Sequence, residues 1–167
     1  ACTIEADERV SAKGDIVHAL DAEQLRVSLR ELKSKNIEAL TVSLIHSFAT
    51  DPPAKRISDI AGEELPDIPV SLSSEVVPEM QEYERTVTTV ANSYVRPRVA
   101  KYVRSLKSKL SIRGEDVKLH ILRSDGGLAS AKASEEFPVN MLMSGPAGGV
   151  TGAVWVALQS GFPNLLT

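Results

Sequence analysis

Apolar positions along this chain switch between a period of two, which marks strands, and steps of three and four, which mark one face of a helix. Residues 8–18 alternate weakly around Lys13-Gly14 and predict a short hairpin. From Ala22 to Lys35, AEQLRVSLRELKSK sets Leu25, Leu29 and Leu32 on one helical face, with Asp21 placed to cap it. IEALTVSLI, 37–45, reads as a strand. Asp51-Pro52 then supplies a cap and a proline at the first helical position, opening a helix to about Leu65. IPVSLS, 68–73, is the next strand. Strand, helix and strand joined by short connections predict a right-handed βαβ crossover in a parallel or mixed sheet.

The longest periodic signal follows. Met80, Tyr83, Val87, Val90, Tyr94, Val99, Tyr102, Val103, Leu106 and Leu110 recur at steps that predict one apolar face of a helix from about Pro78 to Leu110. Pro97 is expected to kink or break it. Its acids (Glu79, Glu82, Glu84) lie at the N-terminal end and its bases at the C-terminal end, both complementing the helix dipole. VKLHILRS, 117–124, is a further alternating strand, ending in the turn Asp125-Gly126-Gly127. Beyond it, 139–143 reads as a strand or extended segment, then a Gly/Pro turn, then a helix from Ala147 to Gln159 ended by Gly161 and Pro163. The closing NLLT reads as a strand just beginning, which points to truncation there.

Composition narrows the class. The 167 residues are 43% hydrophobic and 25% charged, with net charge −3, the profile of a soluble globular chain. Seven Arg/Lys and no acid fall in 96–113, but eight acids and no base fall in 59–84. Mutual neutralisation or a solvated helix face accounts for the basic run, and a nucleic-acid partner is not expected. The single cysteine, Cys2, cannot form an internal disulfide, and His18, His46 and His120 are far apart, so no metal-ligand spacing is seen. A cytoplasmic setting fits. Residues 137–167 carry no charge, yet Ser144, Gly145, Pro146, Gly148 and Gly149 interrupt them, leaving too little helix to span a membrane.

Two glycine-rich stretches hold the candidate chemistry. SGPAGG, 144–149, puts Ser144, Gly145, Gly148 and Gly149 ahead of or inside a helix start, where bare N–H groups and the positive end of the dipole can meet an anion. It lacks the lysine of a P-loop and is not GxGxxG. The competing reading is close packing, because Gly145, Gly149, Gly152 or Ala153, and Ala157 form a side-chain-poor stripe. RSDGGL, 123–128, sets Asp125, Gly126 and Gly127 at a strand end, where α/β sheets often bind ligands, or where an ordinary hairpin turns. In EYERT, 82–86, Glu84 and Arg85 read by default as a surface ion pair, with a structural or cleft pair as the further possibility.

Taken together, VSLSSEVVPEMQEYERTVTTVANSYVRP (70–97), LRSDGGL (122–128) and PVNMLMSGPAGGVTGA (138–153) closely resemble the hydantoinase A/5-oxoprolinase family in content, order and spacing. Weaker matches lie upstream, in ERV at 8–10 and LIHSFATDP at 44–52. The resemblance implies an α/β fold, with βαβ units and a long helix, forming part of an actin-like, ribonuclease-H-like ATPase. It implies residues 1–75 as the end of the family's N-terminal domain and 76–167 as the beginning of its catalytic domain. It also implies ATP and Mg²⁺ as cofactors, a small cyclic amide such as 5-oxoproline or a hydantoin as substrate, and a hydantoinase B-type subunit or domain as partner. A ketone carboxylase subunit, or a non-catalytic assembly module docked through the long helix, are the alternatives.

The departures from the family pattern carry their own expectations. The acidic Gly-Gly-Thr phosphate loops of the family are not in these residues, so an internal fragment, inactive toward ATP by itself, is expected. Catalytic residues are accordingly not assigned. Asp125 stands where relatives often have asparagine.

Overall fold

A computed structural model describes residues 2–111, 118–162 and 164–166. The chain divides into two compact units, 1–97 and 98–167. In the first, β1 (Arg9–Val10) and β2 (Ile16–His18) form the expected antiparallel hairpin, turned by Gly14 at φ 92°. Helix α1 (Ala22–Lys33) starts on the Asp21 carboxylate, which accepts the Gln24 amide at 3.0 Å. Strand β3 (Leu40–Val42), helix α2 (Pro52–Glu64) and strand β4 (Val70–Leu72) follow, and β3 pairs with β4 in parallel, Leu40 opposite Val70. The βαβ unit read from the sequence is present. One detail differs: the Asp51 carboxylate makes no cap and instead pairs with Lys55 at 2.6 Å.

The core of this unit lies where the periodicities meet. Leu25, Leu29 and Leu32 of α1 and Ile57, Ile60 and Ala61 of α2 are buried against Val42 and Leu72 of the strands. Outside this layer, Arg26 and Arg30 of α1 clamp Glu64 of α2, Arg30 with both Nε and Nη2 at 2.9 Å and Arg26 with Nη1 at 3.0 Å. The paired guanidinium hydrogen bonds, Arg30's foremost, hold the Glu64 carboxyl down to about 2 from its ordinary 4.5.

The other face of the two strands is hydroxyl-lined, because period-two alternation turns Thr41, Ser43 and Ser71 away from the apolar layer. After the short α3 (Ser73–Val76), helix α4 (Glu82–Ser111) lies on that face. Here the expectation fails in orientation over the first half of the helix. Arg85, Thr89, Asn92 and Ser93 are buried there, while Tyr83 and Tyr94 are 75% and 82% exposed and Val87 and Val90 are also exposed; further on, Val103 of the expected face is buried, with Ala100. The reason is complementarity: Thr41 Oγ1 donates to Ser93 Oγ at 2.7 Å, Ser43 and Thr86 hydroxyls meet at 2.6 Å, and Asn92 Nδ2 donates to Ser71 Oγ at 3.1 Å. A polar sheet face selects the polar helix face. The helix also starts later than Pro78 and continues through Pro97.

In the second unit, β5 (His120–Leu122) and β6 (Leu128–Ser130) form an antiparallel hairpin. Part of the strand expected over 117–124 lies outside the described residues, as does Pro163. Helix α5 (Ala131–Glu136) is capped by Ser130 Oγ, which accepts the Ala133 amide at 3.2 Å, and Glu135 takes the Arg104 Nε at 2.8 Å. The segment expected as a strand or extended stretch over 139–143 is instead largely a 3₁₀ turn, Pro138–Met141, entered by Pro138, which fits a helical first position, with Leu142 extended after it. Helix α6 (Ser144–Gln159) then runs to Ser160, with Gly161 at φ 77° beyond it. Residues 164–166 form no strand.

Candidate functional site

The candidate chemistry of the second unit gathers where the β5–β6 hairpin meets α6. In the hairpin loop the Arg123 amide donates to the Gly127 carbonyl at 2.8 Å and the Gly126 amide to the Arg123 carbonyl at 3.1 Å. Asp125 finishes the turn: its Oδ1 accepts the Gly127 amide at 2.9 Å and its Oδ2 pairs with Arg123 Nη2 at 2.9 Å. Gly126 sits at φ 81°, the left-handed region that favours glycine. The loop is fixed to the next element by Ser124, whose amide and Oγ both donate to the Asn140 carbonyl, at 2.7 and 2.8 Å.

Helix α6 begins at Ser144, three residues before the start read from the sequence, so Ser144, Gly145 and Pro146 are helical rather than a turn preceding the helix, and Gly148 and Gly149 lie within it as expected. The chain turns one step earlier, at Met143, which is left-handed at φ 65° and offers no side-chain cap. Pro146 is tolerated there because the first-turn N–H groups have no intrahelical acceptor. The first turn of α6 therefore presents uncapped donors at the positive end of its dipole.

The glycines of this helix and of the hairpin loop separate into two groups. A Cβ on Gly148 would lie 2.1 Å from Leu122 Cδ2, and one on Gly126 would lie 2.7 Å from Thr151 Oγ1. These two positions let α6 and the hairpin approach closely. By contrast, a Cβ on Gly145, Gly149 or Gly152 would meet nothing within 4 Å. Spaced four and three residues apart, they form one open face. The close-packing and open-contact alternatives for SGPAGG thus fall on different residues.

Glu84 and Arg85 require a correction. Arg85 is fully buried, and its guanidinium goes to carbonyls rather than to Glu84, which is exposed. Nη1 donates to Glu79 O at 2.5 Å and Met80 O at 3.3 Å, and Nη2 donates to Leu44 O at 2.9 Å and Ile45 O at 2.7 Å. The Phe48 ring lies 5.5 Å from the guanidinium carbon. Arg85 thereby pins the segment after β3 to the entry of α4. Sequence spacing gave no sign of this, because its acceptors are backbone atoms, two of them, Leu44 O and Ile45 O, 41 and 40 residues away. Leu122 and Thr151, which meet Gly148 and Gly126, also escaped the sequence reading.

No group of three or more His, Cys, Asp or Glu side chains able to hold a metal occurs among the described residues, and the Asp125 carboxylate is already engaged. These residues do not by themselves fit a magnesium site. Among the described residues no helix is long and apolar enough to cross a membrane.

Residues 2–65 match the family model described as hydantoinase/oxoprolinase N-terminal region, and residues 85–167 match the one described as hydantoinase/oxoprolinase. An uncharacterized protein of Methanocaldococcus jannaschii, MJ0964, is 34% identical over 96% of this chain and 23% of its own length. The crystal structure of the ATP-dependent caprolactamase from Pseudomonas jessenii superposes with a TM-score of 0.84 at 27% identity, over 93% of this chain and 23% of that one. The nucleotide-free acetone carboxylase from work on ATP-dependent acetone carboxylation gives 0.81 at 29% identity, over 93% and 22%. The chain thus spans under a quarter of the length of these relatives, and shares with the caprolactamase and the carboxylase an α/β fold of small sheets and a long helix. With the two family models following one another along nearly its whole length, the chain belongs to the hydantoinase/oxoprolinase family.

Proposed function

We propose that these residues are part of an ATP-dependent cyclic amidohydrolase of the 5-oxoprolinase/hydantoinase type, cytoplasmic and acting with a B-type subunit or domain. In this reading, 1–75 close its N-terminal domain and 76–167 open its catalytic domain. The observation that carries the proposal is the open glycine face of α6, Gly145 and Gly149, beside uncapped first-turn amides and next to the Asp125-Gly126-Gly127 hairpin. In such chemistry ATP supplies the phosphoryl group that activates the carbonyl oxygen of an unreactive ring amide, exposing its carbon to water.

Within that scheme the Ser144 and Gly145 amides and the α6 dipole would hold negative charge on phosphoryl or carbonyl oxygens. Gly149 would keep the helix surface clear so that the ligand can approach the backbone. Asp125, already committed to Arg123 and the Gly127 amide, would shape the loop rather than accept a proton. Mg²⁺ and the acidic Gly-Gly-Thr loops would come from outside these residues, so the 167-residue chain alone is expected to show no metal-dependent ATP hydrolysis. Measurable activity of that kind would overturn the division of labour.

A ketone carboxylase subunit is the second reading, favoured by the 0.81 superposition on acetone carboxylase. Calorimetric titration of the full-length protein with ATP, 5-oxoproline, hydantoin and a B-type subunit separates the cases. Binding of ATP together with a cyclic amide supports the hydrolase. Binding of the subunit alone would favour an assembly module acting through the exposed face of α4.

A further inference from the structure

A cavity of about 390 Å³ opens beside the loop that joins β3 to α2, lined by residues 47–52 and by Ser74 of α3. Its walls are fixed by hydrogen bonds within the first unit. The Ala49 and Thr50 amides both donate to the His46 carbonyl, at 2.9 and 3.3 Å. Ser47 is 3% exposed, and its Oγ donates to the Leu44 carbonyl at 3.0 Å and meets Ser73 Oγ at 3.2 Å. The Phe48 ring is backed by the Arg85 guanidinium, which also holds the Leu44 and Ile45 carbonyls at the root of the loop.

The groups left over define what the cavity can take. Ser74 Oγ is buried and has no hydrogen-bond partner among the described residues. Asp51 gives Oδ2 to Lys55 Nζ at 2.6 Å, so Oδ1 remains to accept, and Thr50 adds a further hydroxyl. An anion is poorly served here: no cation is among the lining residues, and Pro52 and Pro53 deprive the first turn of α2 of two amides. An apolar ligand would leave the Ser74 hydroxyl unpaired and strip water from the Asp51 carboxylate. A neutral ligand with adjacent hydroxyls satisfies both, since each hydroxyl donates and accepts. One would donate to Asp51 Oδ1, as a ribose hydroxyl does to the carboxylate of dinucleotide sites. The other would accept from Ser74 or Thr50, with the C–H face between them against Phe48.

We propose that this cavity binds a small neutral polyol through a vicinal diol, with Asp51 and Ser74 as the recognising groups and Phe48 as the apolar wall. Its volume falls within the roughly 300–1,000 Å³ of small-molecule sites. All of its residues belong to the first unit, so the site stands independently of the function proposed for α6.

Methyl NMR of the full-length protein labelled at alanine tests this, because Ala49 lines the cavity while Ala61 is fully buried in the core of the unit and serves as reference. On titration with a vicinal cis-cyclopentanediol, the Ala49 signal is expected to shift saturably and the Ala61 signal to stay. Cyclopentanol, which lacks one hydroxyl, should bind about ten-fold more weakly, and Asp51→Asn and Ser74→Ala should each weaken diol binding by a similar factor. Ser74→Ala removes a hydroxyl that bonds to nothing in the described chain, so its melting temperature should be unchanged and its effect should report the ligand alone. No shift at Ala49, an equal response to cyclopentanol, full diol affinity in either variant, or a stronger response to inorganic phosphate than to the diol would overturn the proposal.

Discussion

At the scale of single residues, three side chains show how little of their role resides in their type. Arg85 is a charge without a carboxylate partner, held by four carbonyl oxygens. Arg85→Met would return the desolvation of one charge but leave those acceptors short of donors, each costing about 1–3 kcal/mol when buried. Urea unfolding of the variant is expected to show a loss of at least about 3 kcal/mol. Gly148→Ala pushes against Leu122 and should cost about 1 kcal/mol, because the clash is with the end of a side chain that can shift. Gly126→Ala meets Thr151 from a left-handed backbone and should cost about 1–2 kcal/mol. Thermal melts of the two variants would rank them in that order.

Glu64 adds a pH dependence whose sign follows from its lowered pKa. The Arg30 and Arg26 hydrogen bonds stabilise the carboxylate of the folded state, so their contribution is full above about 4.5 and is lost as pH falls toward about 2. Acid unfolding followed by circular dichroism should therefore begin at lower pH in Glu64→Gln than in a variant that retains Glu64 and is equally destabilised at neutral pH. The wild-type protein should lose stability more steeply than that variant between these two pH values.

At the scale of elements, the sequence was most legible where one period ran undisturbed into one layer. Leu25, Leu29 and Leu32 were read onto a buried face and are buried, and the parallel pairing of β3 with β4 followed from the βαβ pattern. The same logic gave the wrong face for the first half of α4, though not for Val103, because counting apolar positions assumes that a helix meets an apolar neighbour. The corrective signal was present in the strands: Thr41, Ser43 and Ser71 alternate with Leu40, Val42, Val70 and Leu72, so one sheet face is hydroxyl-lined. Thr89→Val should accordingly destabilise the first unit despite its greater hydrophobicity, because Thr89 Oγ1 donates to the Arg85 carbonyl at 2.7 Å in a buried position. A loss of roughly 1 kcal/mol in urea unfolding is expected. For α6, sequence reading located the glycines but started the helix late, since it treated Gly145 and Pro146 as breakers when both fit a first turn. It could not tell Gly148 from Gly149, because only the fold decides which of the two faces Leu122.

At the scale of the whole molecule, these residues form two compact units of an enzyme family whose structurally similar members include an ATP-dependent caprolactamase and acetone carboxylase. The second unit supplies a fixed glycine hairpin and a helix with an open glycine face. Both become functional, in the account given above, only with the longer polypeptide around them. The account rests most heavily on the open face of α6. In the full-length protein, ATP-dependent ring opening of 5-oxoproline or hydantoin should be measured for Gly149→Val beside the wild type, with the melting temperature of each. The account predicts turnover reduced on the order of 100-fold at an essentially unchanged melting temperature, because the added side chain meets nothing within the described chain but obstructs the bound ligand. Wild-type turnover in Gly149→Val, or a loss of turnover that only follows a lowered melting temperature, would contradict it.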